Sequence, residues 1–132
     1  MKLDVGDYMT DPPGRISVDR KQNMGEIENN FTWQRKRFEK ECKRAKDQGI
    51  KLIFLIEHGK PIKSIDDVKD WENPRLETSP YAVCGKRIHF LMKTFEIKYG
   101  VQWEFCDKRS TGRRIVELLT ENGECNEKGK NG

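Results

Sequence analysis

Hydrophobic and polar positions change their period several times along this chain, and each change marks an element. Residues 2–8 and 15–21 read as two short strands, because Asp11, Pro12, Pro13 and Gly14 between them supply turn chemistry and deny helix. From Asn23 an N-cap with an acid three positions on, Glu26, opens a helix expected to run to about Gln48, where Gly49 closes it. Ile27, Phe31, Phe38, Cys42 and Ala45 recur along it at helical steps, one apolar stripe against a charged face. The run IKLIFLI at 50–56 has almost no polar interruption, as expected of a central strand covered on both sides.

After that strand the chain turns polar from His58 to Val83, with Pro61, Pro74 and Pro80. This excursion encloses one short helix whose Ser64 and Asp67 fit a capping box. Ile88, Leu91, Met92, Phe95 and Tyr99 then make a helical stripe over 85–99 that Gly100 ends, and 101–105 alternates as a strand. Ser110 or Thr111 is the expected cap of a last helix bearing Ile115, Leu118 and Leu119. Residues 121–132 are too polar and rich in Gly and Asn to pack, and are expected to form a disordered tail. The order β-β-α-β-(insert)-α-β-α predicts an α/β domain over 1–120, a mixed sheet with helices on its faces.

Composition narrows this picture slightly. With 132 residues the chain has room for about one domain, and charged residues (36%) outnumber hydrophobic ones (34%), so the core must sit in the few apolar segments above. The net charge of +4 suits a polyanionic partner without requiring one. Cys42, Cys84, Cys106 and Cys125 form no CxxC pair, so they are expected as reduced thiols rather than zinc ligands. His58 and His89 likewise have no partner at a ligand spacing. No stretch approaches the ~20 apolar residues of a membrane span and no secretion signal opens the chain, so no membrane association and an intracellular location are expected.

Candidate chemistry lies in the second strand. Asp19 and Lys21, two apart, project from one face while Arg20 points away. If the first strand brings Asp7 alongside, two carboxylates could hold a divalent cation through oxygen, magnesium being the natural ion, with an ammonium beside them. Such a site hydrolyses phosphodiesters: the cation polarises the phosphate and lowers the pKa of a water that Lys21 orients. On spacing alone, alternating charges on a solvated strand edge are the commoner origin of such a pattern.

A longer pattern tips that balance. LDVGDY (3–8), ISVDRK (16–21), RFEKE (37–41) and LIFLIE ending at Glu57 occur in order and together resemble the XPF-type nuclease domain. GKRIHFLMKTFEIKYG, VQWEFC and STGRRIVELL look like that family's following helix, strand and closing helix, so the resemblance covers nearly the whole chain. It implies a restriction-endonuclease-like fold, dependence on Mg2+ or Mn2+, and cleavage of DNA at branched or flapped junctions in repair, recombination or replication. Asp7 falls on the family's GD acid, and Asp19, Arg20 and Lys21 on its ERK motif with Asp for Glu. Gly25 stands where the family carries a further acid, with Glu26 nearest, and the family's earlier acidic strand would precede Met1.

The resemblance therefore implies Asp7 and Asp19 as metal ligands and Lys21 as catalytic. Glu26 is a further candidate ligand, although capping its helix accounts for it as well. Arg20 and Arg37 match family positions, and an arginine paired with Glu57 would orient the site. Lys86, Arg87, Arg113 and Arg114 are candidate phosphate contacts, and Trp71 a candidate base-stacking residue or loop anchor. A homodimer through the last two helices is implied by resemblance. The alternatives are a DNA-binding or assembly module that keeps the fold without catalysis, and a nuclease acting on RNA or single strands.

Overall fold

In the computed structural model, which describes residues 8–9, 16–58 and 62–120, the apolar run at 51–56 is a central strand. The sheet order is β1-β2-β3-β4, with β1 Tyr8–Met9, β2 Ile16–Lys21, β3 Lys51–Ile56 and β4 Gln102–Phe105. β1 pairs antiparallel to β2, while β2, β3 and β4 are parallel. The fold is thus the expected mixed sheet. Of the predicted first strand, residues 2–7 lie outside the described residues, as do the turn at Asp11–Gly14 and the tail 121–132.

Helices α1 (Met24–Phe31), α2 (Arg35–Asp47) and α3 (Gly85–Tyr99) cover one face. Helix α4 (111–120) covers the other. Alternation along each strand divides the core between them. Leu52, Phe54 and Ile56 of β3 join Trp103 and the residues of α1 to α3 in the larger cluster. Ile53 and Leu55 meet Ile16 and Val18 of β2 and Ile115 and Leu118 of α4 in the smaller one. β3 is buried on both sides, as its unbroken apolar run requires.

The single helix expected from 24 to 48 is two helices. Thr32 ends the first, its hydroxyl donating to the Glu28 carbonyl at 2.9 Å, and the chain turns before α2. The stripe alone could not show this, because Phe31 and Phe38 are seven residues apart and would lie about 10 Å apart along a straight helix. The bend brings their rings edge to face at 5.3 Å, inside a cluster with Phe54, Phe95 and Trp103. No apolar core residue lies between Phe31 and Phe38 to hold those turns straight.

The excursion after β3 carries two 3-10 helices, Ile65–Asp70 and Pro74–Glu77. The Ser64–Asp67 capping box opens the first of them. Gly85 lets α3 start directly against that helix: a Cβ there would stand 2.4 Å from the Val68 carbonyl oxygen. Gly100, at φ 70°, ends α3 as expected. Before α4 comes a third 3-10 turn, Lys108–Ser110, capped by Asp107 rather than by Ser110 or Thr111. Cys42, Cys84 and Cys106 are free thiols, and Cys125 lies outside the described residues.

Candidate active site

β2, ISVDRK, carries its chemistry at its C-terminal end, where Lys21 is level with Ile56 of β3 and Ile56 with Phe105 of β4. In open sheets, ligands bind beyond this edge of the parallel strands. Alternation sends Ser17, Asp19 and Lys21 toward α1, α2 and α3, and Ile16, Val18 and Arg20 toward α4. Asp19 (8% exposed) and Lys21 (7%) are therefore nearly buried. Their oxygen and ammonium stand 3.6 Å apart, an ion pair longer than a hydrogen bond. The Lys21 ammonium also lies 5.4 Å from the Phe38 ring centroid and 5.5 Å from that of Phe54. Two ring faces and one carboxylate thus surround it in a confined place.

Helix α2 roofs this pair. Burial pushes the Cys42 thiol well above its ordinary range, Glu41 and Asp19 push it further, and Lys21 opposes them. Glu41, half-buried on α2, is thus a second acid that, with Asp19, lies within electrostatic reach of the Cys42 thiol. It lies within the RFEKE segment but had no role assigned from sequence. Its signal is positional: three residues after Phe38, it shares the side of α2 that faces the sheet.

Arg20 and Glu57 sit on the opposite face, 3.7 Å apart. The Glu57 carboxylate, only 6% exposed, also accepts a hydrogen bond from the Thr111 hydroxyl, and its backbone N–H donates to the Lys21 carbonyl at 2.8 Å. The arginine that pairs with Glu57 is Arg20. Arg37 is exposed on α2.

Glu26 serves its helix. Its carboxylate accepts the Gln22 N–H at 2.7 Å while Asn23 accepts the Glu26 N–H at 3.0 Å. Of the basic candidates, Lys86 and Arg87 are exposed at the start of α3, the Arg87 guanidinium lying 5.3 Å from the Phe90 ring. Arg113 lies 4.0 Å from Glu117, and Arg114 pairs with Glu104 and Glu117 at 3.2 and 3.1 Å. Trp71 is half-buried against the core, its ring edge-on to His58 at 6.3 Å. The loop-anchoring role accounts for that placement.

Asp7 lies outside the described residues. Among the described residues no three His, Cys, Asp or Glu side chains gather as a metal centre. The donor chemistry still suits a hard cation, because Asp19 offers carboxylate oxygens near the C-terminal end of β2.

The described residues thus form a parallel-stranded sheet with an antiparallel edge strand, helices on both faces and an acid–lysine pair toward one strand's C-terminal end. The chain is similar in structure to XPF from Aeropyrum pernix, with a TM-score of 0.59 and 17% identity over 92% of this chain. The fold is therefore of the XPF nuclease type, and the chain spans half the length of that relative (50%). By sequence, no family model and no curated protein matches. No helix among the described residues is long and apolar enough to cross a membrane.

Proposed function

We propose that this chain is a metal-dependent DNA endonuclease, with Asp7, Asp19 and Lys21 as its catalytic residues and DNA as its substrate. One observation carries the reading: Asp19 and Lys21 share a confined face at the C-terminal edge of the parallel strands, in a nuclease fold. The register supports including Asp7. Tyr8 pairs with Val18 and Met9 with Ser17, so an antiparallel ladder continued by one residue would set Asp7 opposite Asp19, on the same face.

Magnesium or manganese held by Asp7 and Asp19 would polarise the scissile phosphate and lower the pKa of a water. Lys21, held beside Asp19 and the two rings, would orient that water and offset charge developing on the phosphate. Arg20, Glu57 and Thr111 would brace the strand end from behind, since Glu57 bonds both α4 and the Lys21 backbone.

The test is cleavage of forked, flapped and blunt DNA, with single-stranded DNA and RNA offered in parallel, in Mg2+ or Mn2+ and in EDTA. Asp19→Asn is expected to lower the cleavage rate by about 10²–10³, and Lys21→Met similarly, with DNA binding retained. Cleavage that survives Asp19→Asn, or proceeds fully in EDTA, overturns the assignment. Binding of DNA with no cleavage by the unaltered chain would instead make it a non-catalytic module.

A further inference from the structure

Trp33 and Tyr81 are two large aromatics left in solvent, 70% and 71% exposed, with ring centroids 6.3 Å apart and planes at 65°. They come from different segments, the turn between α1 and α2 and the loop leading into α3, so their meeting is a product of the fold. Glu28 builds it. The fully buried Glu28 carboxylate accepts the Val83 N–H at 2.6 Å and Arg75 at 2.8 Å, fixing the loop that carries Tyr81. Its carbonyl oxygen accepts the Thr32 N–H at 3.0 Å and the Thr32 hydroxyl, fixing the turn that carries Trp33.

The surroundings say what could lie there. Arg35, Lys36 and Arg37 follow Trp33, all three exposed, on the first turn of α2, whose Phe38 covers Lys21. Two rings beside a basic run match an unpaired base with its phosphates, because any base offers a π face and the strand an anionic backbone. A protein partner fits less well: two rings amid charged residues fall far short of the roughly 1,000 Å² that a stable interface buries. A duplex fits poorly too, since its base faces are already stacked.

We propose that Trp33 and Tyr81 form a stacking platform for an unpaired nucleobase, with Lys36 and Arg37 taking the strand's phosphates. The platform does not rest on the nuclease reading above.

The experiment therefore measures binding in EDTA, where no cleavage occurs, by fluorescence anisotropy of a labelled oligothymidine and of a blunt duplex. The double variant Trp33→Ala/Tyr81→Ala is expected to bind the single strand about tenfold or more weakly, with duplex affinity unchanged. Trp33→Phe/Tyr81→Phe keeps two rings and should restore most of the loss, separating stacking from any general effect on the surface. Single-strand binding unchanged in the alanine pair, equal loss of both DNA forms, or a phenylalanine pair as weak as the alanine pair each overturns the platform. A chain that shows the expected pattern in EDTA yet cleaves nothing in Mg2+ upholds the platform and overturns the nuclease reading instead.

Discussion

The two faces of the sheet are built from different materials. On the α1 to α3 face, the rings of Phe31, Phe38, Phe54, Phe95 and Trp103 interlock, and Lys21 and Asp19 sit at the rim of that cluster. On the α4 face a smaller aliphatic cluster, Ile16, Val18, Ile53, Leu55, Ile115 and Leu118, lies under a salt-bridged rim of Arg20, Glu57, Glu104 and Arg114. Aromatic rings have few rotamers and large contact areas, so the first face gives the Asp19–Lys21 pair a rigid wall. The second contributes polar bracing at the same strand end. A single strand serves both, because β2 alternates its residues between them.

That contrast is most sharply tested by adjacent residues of β3. Phe54→Ala removes a ring stacked on Trp103 at 4.8 Å and lying beside Lys21, and is expected to cost about 3–5 kcal/mol. Leu55→Ala, on the other face, should cost less, about 2–3 kcal/mol, because the aliphatic cluster it leaves with Ile115 and Leu118 is smaller and can settle inward. Denaturant unfolding measures both. Equal costs would mean that the aromatic face is no more rigid than the aliphatic one.

Much of this division was legible in the sequence. The IKLIFLI run located the doubly covered strand, and the α3 stripe with Gly100 located a helix to its last residue, because burial and a positive φ each leave a strong local mark. The two-residue spacing of Asp19 and Lys21 placed them on one face, as found. The break at Thr32 was not legible: a seven-residue step preserves helical phase whether or not the helix bends. Nor were Glu28 or the Trp33–Tyr81 pair, since Glu28 bonds partners 45 to 55 residues away and looks in sequence like any charge on a helix face. The part of the candidate site carried by Asp7 rests on the family resemblance and on the register of β1.

A smaller effect probes the polar brace. Thr111→Val keeps the shape of the side chain but takes the hydroxyl donor from the buried Glu57 carboxylate, and is expected to cost about 1–3 kcal/mol. If the faces divide labour as described, the melting midpoint falls while the cleavage rate of the folded fraction stays within about threefold, well short of the loss expected for a group acting on the phosphate. A rate loss as large as that of Asp19→Asn would erase the distinction and place Glu57 within the reacting site.

The smallest effect concerns His58, the neighbour of Glu57, which turns to the other face. Its Nδ1 accepts the Met24 N–H at 3.1 Å at the start of α1, and burial lowers its pKa from the ordinary 6.5. Acceptance by Nδ1 requires that nitrogen to be unprotonated, so protonation there would break the contact. Because the folded pKa lies below the unfolded one, the unfolded chain binds more protons between the two values. The contribution is therefore complete above pH 6.5, shrinks as pH falls below it, and changes no further below the folded pKa. The ring is half exposed and solvent-screened, so the effect is modest. It is read as a difference: unaltered chain and His58→Gln should be closest in melting midpoint at pH 8 and furthest apart at pH 5, with the unaltered chain the lower, since glutamine can accept the same N–H without titrating. A gap that stays constant across this range would mean that His58 holds α1 by packing alone, and that the helix-rich face near Lys21 does not respond to mild acid through this residue.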